Sequence, residues 1–142
     1  MPITIRRAET GEDRDECYKV RMTVFVEEQK VPPWEEMDHF DEDALHFLAE
    51  DDGVVVGTAR LVDKGNGEGK IGRVAVLIEY RGKKVGRDLM AHILQTADNQ
   101  YQTFVLDAQV HVIPFYEKLG FTAEGDIFLD GGIEHRRMLL TR

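Results

Sequence analysis

Positions 81 to 87 read Arg-Gly-Lys-Lys-Val-Gly-Arg, four basic side chains and two glycines in one short stretch. Glycine lets a backbone bend closely around a ligand, and the surrounding charge selects an anion. From Val85 onward, Val85, Leu89, Ile93 and Ala97 recur at helical spacing with Met90 and Leu94 beside them, so one face of a helix is apolar. The basic loop therefore opens a helix. The first N–H groups of a helix lack intrahelical partners and carry the positive end of its dipole. Phosphate oxygens are favoured at such a place, and a diphosphate suits these electrostatics.

A second charged stretch has the opposite sign. Residues 27–43 hold eight acidic residues and one lysine, whereas residues 64–87 hold seven basic and two acidic ones. One segment suits a cation and the other an anion. The acidic run also reads as a solvated, charge-rich loop.

Both stretches need a scaffold. Ile71, Val74, Val76 and Ile78 place branched apolar side chains on a run short enough for a strand, which stops at Glu79-Tyr80 and feeds the basic loop. Residues 3–6 alternate as a first strand. Residues 10–26 read as a helix with Thr10 as N-cap, Asp13 in its first turn, and Cys17, Val20 and Val24 facing a sheet. Pro32 and Pro33 end that helix. They leave Trp34 in a loop or short turn, either as a staple for the segment or as an apolar wall beside a substrate.

Residues 44–50 and 54–63 form a hairpin about Asp51-Asp52-Gly53, and a looser turn over 64–69 leads to the strand before the loop. The helix over 85–99 is long enough for a right-handed crossover to a parallel strand at 104–108. A short helix follows across 109–121, stopped by Gly120. Strands over 122–129 and 133–141 close the chain around Asp130-Gly131-Gly132. The order is β-α-(α)-β-β-β-α-β-α-β-β, about seven strands interleaved with helices. Residues 1–142 suit one domain with one core.

Arg81-x-x-Lys84-x-Gly86 resembles the pyrophosphate loop of the GNAT superfamily of acyl-CoA-dependent N-acetyltransferases, Arg/Gln-x-x-Gly-x-Gly/Ala. Lys84 stands where the middle glycine usually sits. A positive φ there costs about 1 kcal/mol or more relative to glycine, which implies weaker or altered CoA binding. Downstream, Gln109-x-x-Val112-x-x-Phe115-Tyr116-x-x-x-Gly120-Phe121 is similar to the family's other signature, with Gln109 for asparagine and Val112 for alanine. The resemblance is specific over residues 71–121 and looser elsewhere.

It implies the GNAT fold, α/β (α+β) in class, with a mixed, mostly antiparallel twisted sheet of about seven strands and helices on both faces, in which parallel strands 4 and 5 splay apart and the pantetheine arm of acetyl-CoA lies in the gap. The backbone N–H of Val74 would meet the thioester carbonyl, and the backbone of Val76 would pair with pantetheine. Arg81, Gly82, Lys83, Lys84, Val85, Gly86 and Arg87 would cradle the pyrophosphate, Lys83 reaching alternatively to the adenosine phosphate. Gln109 would hydrogen-bond pantetheine, and Tyr116 would protonate the leaving CoA thiolate. Arg21-x-x-Val24-Phe25-x-x-Glu28-Gln29-x-x-Pro32-x-x-x-Glu36-x-Asp38-x-x-Asp41 and Gly132-Ile133-Glu134-His135-x-x-Met138 resemble a bacterial subgroup of small, mostly uncharacterised GNAT proteins. A similar arginine, phenylalanine and spaced acidic pattern occurs in the acyl-homoserine-lactone synthases, which are considerably longer.

The resemblance implies transfer of an acetyl group from acetyl-CoA to a primary amine by direct attack in a ternary complex, where positioning supplies much of the rate. The acidic run makes that acceptor a small cationic metabolite or a protein lysine, approached by Glu28, Trp34, Asp38 and Asp41. The attacking amine must be neutral. Lys70 falls where some members carry a carboxylate base, so Glu28, Asp38, Asp41, His46, His111 and His135 remain as proton acceptors. A water relay ending in the acidic region or at His111 is expected. Two other readings stay open. Lys84 and the missing strand carboxylate suit a non-catalytic acyl-CoA sensor, against which Tyr116 stands, and an unrelated phosphate-binding or protein-interaction domain would share only the basic loop.

A net charge of −9 argues against a duplex nucleic-acid partner. The single cysteine, Cys17, excludes an internal disulfide and a multi-cysteine metal site and suits a reducing compartment. No metal is expected. No run approaches the ~20 apolar residues of a membrane span, so a cytoplasmic protein without a membrane partner is expected. Ile127, Phe128 and Leu129 on a late strand suit either a homodimer interface or core packing.

Overall fold

The computed structural model describes residues 3–142. Strands β1 (Ile3–Arg7), β2 (Leu45–Asp51), β3 (Val54–Gly65), β4 (Glu68–Val76), β5 (Thr103–Gln109), β6 (Thr122–Asp130) and β7 (Ile133–Thr141) join one seven-stranded sheet. Its order is β1-β2-β3-β4-β5-β7-β6, and every neighbouring pair is antiparallel except β4 with β5. That pair is the hinge of the architecture. Its register runs only through Glu68↔Thr103, Gly69↔Phe104 and Lys70↔Val105. Beyond it the strands part, while β3 still holds β4 and β7 still holds β5.

Successive residues on a strand face opposite sides of a sheet, and adjacent Phe47 and Leu48 show the two layers. Phe47 belongs to the larger core with Leu61, Ile71, Leu89, Ile93 and Phe104, beneath helix α3 (Val85–Thr96). Leu48 packs with Ala8 and Cys17 beneath helix α1 (Gly11–Arg21). Cys17 is thus a buried core filler, as its helical neighbours imply. Helix α3 comes very close to β3 at Gly57, where a Cβ would sit 3.2 Å from atoms of both Leu89 and Val85.

Thr10 caps α1 as expected, its hydroxyl oxygen accepting from the Asp13 N–H at 3.0 Å. The helix then widens into a π-helical turn over Met22–Glu28 rather than ending at Val26. π-turns inside helices recur at functional sites, and this one carries Phe25, Glu28 and Gln29 to the cleft described below. Lys30 then takes φ 65° and Pro32-Pro33 start a single helical turn, α2 (Pro33–Glu36).

Three further differences from the sequence reading are local. Strand β4 ends at Val76, and Ile78–Tyr80 forms a 3-10 turn. Strand β5 runs through Gln109 into a 3-10 turn, leaving only Ile113–Glu117 as helix α4, because Pro114 donates no N–H and belongs in a first helical turn. Finally, Ile127, Phe128 and Leu129 are exposed on edge strand β6, which sets aside their core reading. Among the described residues no helix is long and apolar enough to cross a membrane.

Candidate active site

Where β4 and β5 part, a cleft of about 950 Å³ opens, lined by both strands, by the loop after β4, by α4 and by the π-turn of the first helix. It is within the size range of small-molecule sites. At one end lies the basic loop. Gly82 and Lys84 both take positive φ, 76° and 67°, which turns the chain sharply into α3. Helix α3 has no side-chain cap among the described residues, and its first helical hydrogen bond runs from the Asp88 N–H to the Lys84 carbonyl at 3.0 Å. The N–H groups of Val85, Gly86 and Arg87 therefore precede any intrahelical acceptor and favour an anion. Gly86 leaves ordinary contact distance to Phe115, 3.6 Å from where its Cβ would be.

Arg81 crosses the mouth of the gap. Its Nε donates to the Val76 carbonyl at 2.9 Å, and its Nη atoms grip the Glu28 carboxylate at 2.6 and 2.7 Å. Glu28, expected beside an amine, thus ties the first helix to the loop, and its pKa is lowered by that arginine. Lys83 lies over the Tyr80 ring, 5.4 Å from its centroid, in a smaller cavity with Asp51 and Glu79 rather than in the main cleft. Arg87 pairs with Asp88 at 3.1 Å.

The middle of the cleft is backbone. Thr58 of β3 faces Ala75 while Arg60 faces Gly72, so Ala59 opposes Arg73 and Val74 together: a β-bulge, with Arg73 at φ 52°. The Leu77 N–H donates to Val56 across the β3 side at 2.9 Å. N–H directions alternate along a strand, so those of Val76 and Val74 leave β3 and enter the gap. The bulge was missed in sequence, although Gly72 inside a strand is the usual signal for one.

Tyr116, on α4, is buried at the cleft wall with its ring edge-on to Phe115 and Phe121. Burial pushes its phenol up to about 12. Gln109 also lines the cleft, but its amide donates to Gln29 Oε1 at 2.9 Å. Lys70 is ion-paired with Asp107 at 2.9 Å.

The acidic run is used differently from the sequence reading. Arg21, buried at the end of α1, pairs with Glu36 and Asp41. Arg60 pairs with Asp38 and Asp41 at 2.7 and 2.8 Å, and Arg73 reaches Asp38 at 3.3 Å. Asp41 is buried and its carboxyl falls to about 2, because burial, which opposes ionisation, is outweighed by Arg21 and Arg60. Asp38, which lines the cleft, and Asp41 are therefore both paired with arginines. Trp34 is 79% exposed on α2 and does not line the cleft, so it is neither staple nor wall.

Of the histidines, His46 is buried away from the cleft with Nε2 on the Asp41 carbonyl, whereas His111 and His135 line it. His135 Nδ1 lies 2.7 Å from the Ile133 carbonyl. A carbonyl only accepts, so Nδ1 carries a proton and donates to it.

Residues 12–142 match the family described as the acetyltransferase (GNAT) domain. The chain is 36% identical over 134 residues to the uncharacterized N-acetyltransferase YjcF of Bacillus subtilis, covering 93% of this chain and 95% of that protein. It is also similar to a solved acyl-CoA N-acyltransferase from Pseudomonas aeruginosa, with TM-score 0.84 and 30% identity over 99% of both chains. Escherichia coli ElaA is a further structural neighbour, at TM-score 0.87 and 28% identity over 98% of this chain and 99% of that one.

Proposed function

From the premise that this chain belongs to the GNAT acetyltransferase family, we propose that it moves an acetyl group from acetyl-CoA to a primary amine by direct attack in a ternary complex. The observation that carries this reading is the parting of β4 from β5 beyond Lys70↔Val105, beside an uncapped α3 N-terminus rich in positive charge. The pyrophosphate sits on the N–H groups of Val85, Gly86 and Arg87, and Arg81 exchanges Glu28 for phosphate. The pantetheine takes the backbone of Val76.

The N–H of Val74 then meets the thioester oxygen as it gains charge in the tetrahedral intermediate. A donor fixed before the reaction needs no reorganisation there. At neutral pH Tyr116 is fully protonated, since its pKa is about 12. It serves as a hydrogen-bond donor to the departing thiolate. Leaving a phenolate behind would be uphill against a thiol of pKa ~8.5, so the donated proton is replaced by the one that the amine loses. That proton travels through water along the cleft wall, which His111 and His135 line. The proposed setting is the cytoplasm, in keeping with a lone, buried cysteine.

The test is thiol release from acetyl-CoA against a panel of amino acids, polyamines, aminoglycosides and lysine peptides, with CoA binding followed by calorimetry on the same preparation. Turnover with an amine is the expected result. CoA binding without turnover on any acceptor supports a sensor instead, and absence of both removes the assignment.

A further inference from the structure

We propose that the acceptor amine also carries a carboxylate, an apolar amino acid being the simplest such molecule, and that Arg73 holds that carboxylate. This rests on the amine-transfer reading above. The acidic run suggested a cation, but its carboxylate oxygens already have donors. Both oxygens of Glu36 accept from Arg21. Those of Asp41 accept from Arg21 and Arg60, and those of Asp38 from Arg60, Arg73 and the Phe40 N–H. Three carboxylates are thus set against three arginines, Arg21, Arg60 and Arg73, and the cluster offers an incoming cation no net negative charge.

What remains available is a donor. Arg73 is held by the Glu36 carbonyl, through Nε at 3.1 Å and Nη2 at 2.9 Å, and by Asp38. Its Nη1 makes no hydrogen bond among the described residues, and its side chain is 23% exposed on the cleft wall. Burial lowers its pKa, and repulsion from Arg60 and Arg21 adds to this. An incoming anion relieves that repulsion. The rest of the lining does not reverse the balance, because it includes Glu35 and Asp130 but also Lys64 and Lys118, none of the four in an ion pair among the described residues. Val24, Phe25, Val31 and Val62 line the cleft nearby and suit an apolar side chain.

Position makes the arrangement productive. Arg73 immediately precedes Val74, whose N–H enters the gap where the thioester is proposed to lie, so a carboxylate on Arg73 keeps a nearby amine within reach of the acyl carbon. The bulge that places Val74 also turns Arg73, which therefore acts as a specificity residue and not as an acid or base.

Matched acceptors that differ only in the carboxylate test this directly: leucine against leucinamide, and phenylalanine against phenethylamine, each with acetyl-CoA. The leucinamide amine is the less basic of its pair, so intrinsic reactivity at neutral pH favours the amide. We expect kcat/KM to favour the amino acids by about tenfold or more, as loss of a charged hydrogen bond would give, chiefly through KM. Arg73→Gln should erase the preference and Arg73→Lys retain part of it. Equal or better turnover of the amides, or an undiminished preference in folded Arg73→Gln, overturns the proposal. The wild-type comparison decides alone if the variant fails to fold. Should no amine turn over, calorimetry of leucine and leucinamide on CoA-saturated protein separates the two readings. Selective leucine binding then supports the carboxylate site while the transfer reading fails, and equal or absent binding overturns the site as well.

Discussion

A phenol raised to about 12 by burial is an uncommon choice for a group meant to ionise, but a suitable one for a group meant to stay protonated and donate. On the proposed mechanism the contribution of Tyr116 is geometric, a phenol held at the cleft wall by edge contacts with Phe115 and Phe121. Tyr116→Phe keeps the ring and those contacts. It should lower kcat by roughly 10²–10⁴-fold, the usual range for a positioned acid, with CoA affinity in calorimetry nearly unchanged; unaltered turnover would remove Tyr116 from the mechanism. Lys84 poses the opposite case, a residue whose backbone is costly and whose charge is useful. Its φ of 67° and ψ of 17° lie in the left-handed region, at a cost of about 1–2 kcal/mol for a side chain with a Cβ. Glycine relieves that strain but widens the unfolded ensemble. Lys84→Gly should therefore stabilise the protein by a net ~0.5–1 kcal/mol, read from urea midpoints, while CoA binding weakens at low salt through the lost charge. A lower midpoint would show that the lysine makes a native contact stronger than its strain.

Patterns that depend on near neighbours could be read from the sequence: the Thr10 cap, the Asp51-Asp52-Gly53 hairpin, the strand that feeds a basic turn, and the apolar face of α3. Long-range partners could not. Arg21 reaches Glu36 and Asp41 across 15 and 20 residues, and Arg60 reaches Asp38 and Asp41 across 22 and 19. A charge count along the chain sees only an acidic run facing solvent or substrate. The fold instead brings Glu36, Asp38 and Asp41 of that run against α1, β3 and β4, where Arg21, Arg60 and Arg73 pair with them, and leaves Trp34 exposed on α2. The network joins α1, α2 and β3, so breaking it should loosen the acceptor side as one piece. Asp41→Asn leaves Arg21 and Arg60 short of an anion in a buried place and should cost roughly 3–5 kcal/mol. The pH dependence has a definite sign. Asp41 titrates near 2 when folded and near ~3.9 when unfolded, so on acidification the unfolded chain takes up the proton first. Its stabilisation is complete above about pH 4–5 and drains as the pH falls toward about 2. Urea midpoints measured through that window should fall in the wild type, and Asp41→Asn should lack this component. A variant with an unchanged acid profile would place the acid-sensitive carboxylate elsewhere.

The whole molecule combines a net charge of −9 with one concentrated positive site, so a polyanionic ligand is repelled by most of the surface and drawn to a single place. That place is also the weakest seam of the sheet. Past Lys70↔Val105 the facing edges of β4 and β5 have no strand partner among the described residues, and the Val76 carbonyl accepts from the Arg81 side chain. Unpaired backbone groups in a sheet interior are costly unless water or a ligand satisfies them. A ligand that runs along the gap and ends on the α3 N-terminus joins the half of the sheet held by β3 to the half held by β7, and binds only the folded state. Mass action then sets the gain. At a CoA concentration of 100 times Kd the folded state gains about 2.7 kcal/mol, which for a chain of this size is a rise in Tm of roughly 5–10 °C. Pantetheine alone lacks the phosphates and should shift Tm far less at equal concentration. The CoA shift should shrink with added salt, because the loop charges are exposed. If pantetheine matched CoA, the basic loop would contribute no binding energy, and if millimolar CoA produced no shift, the parted strands would not be its site.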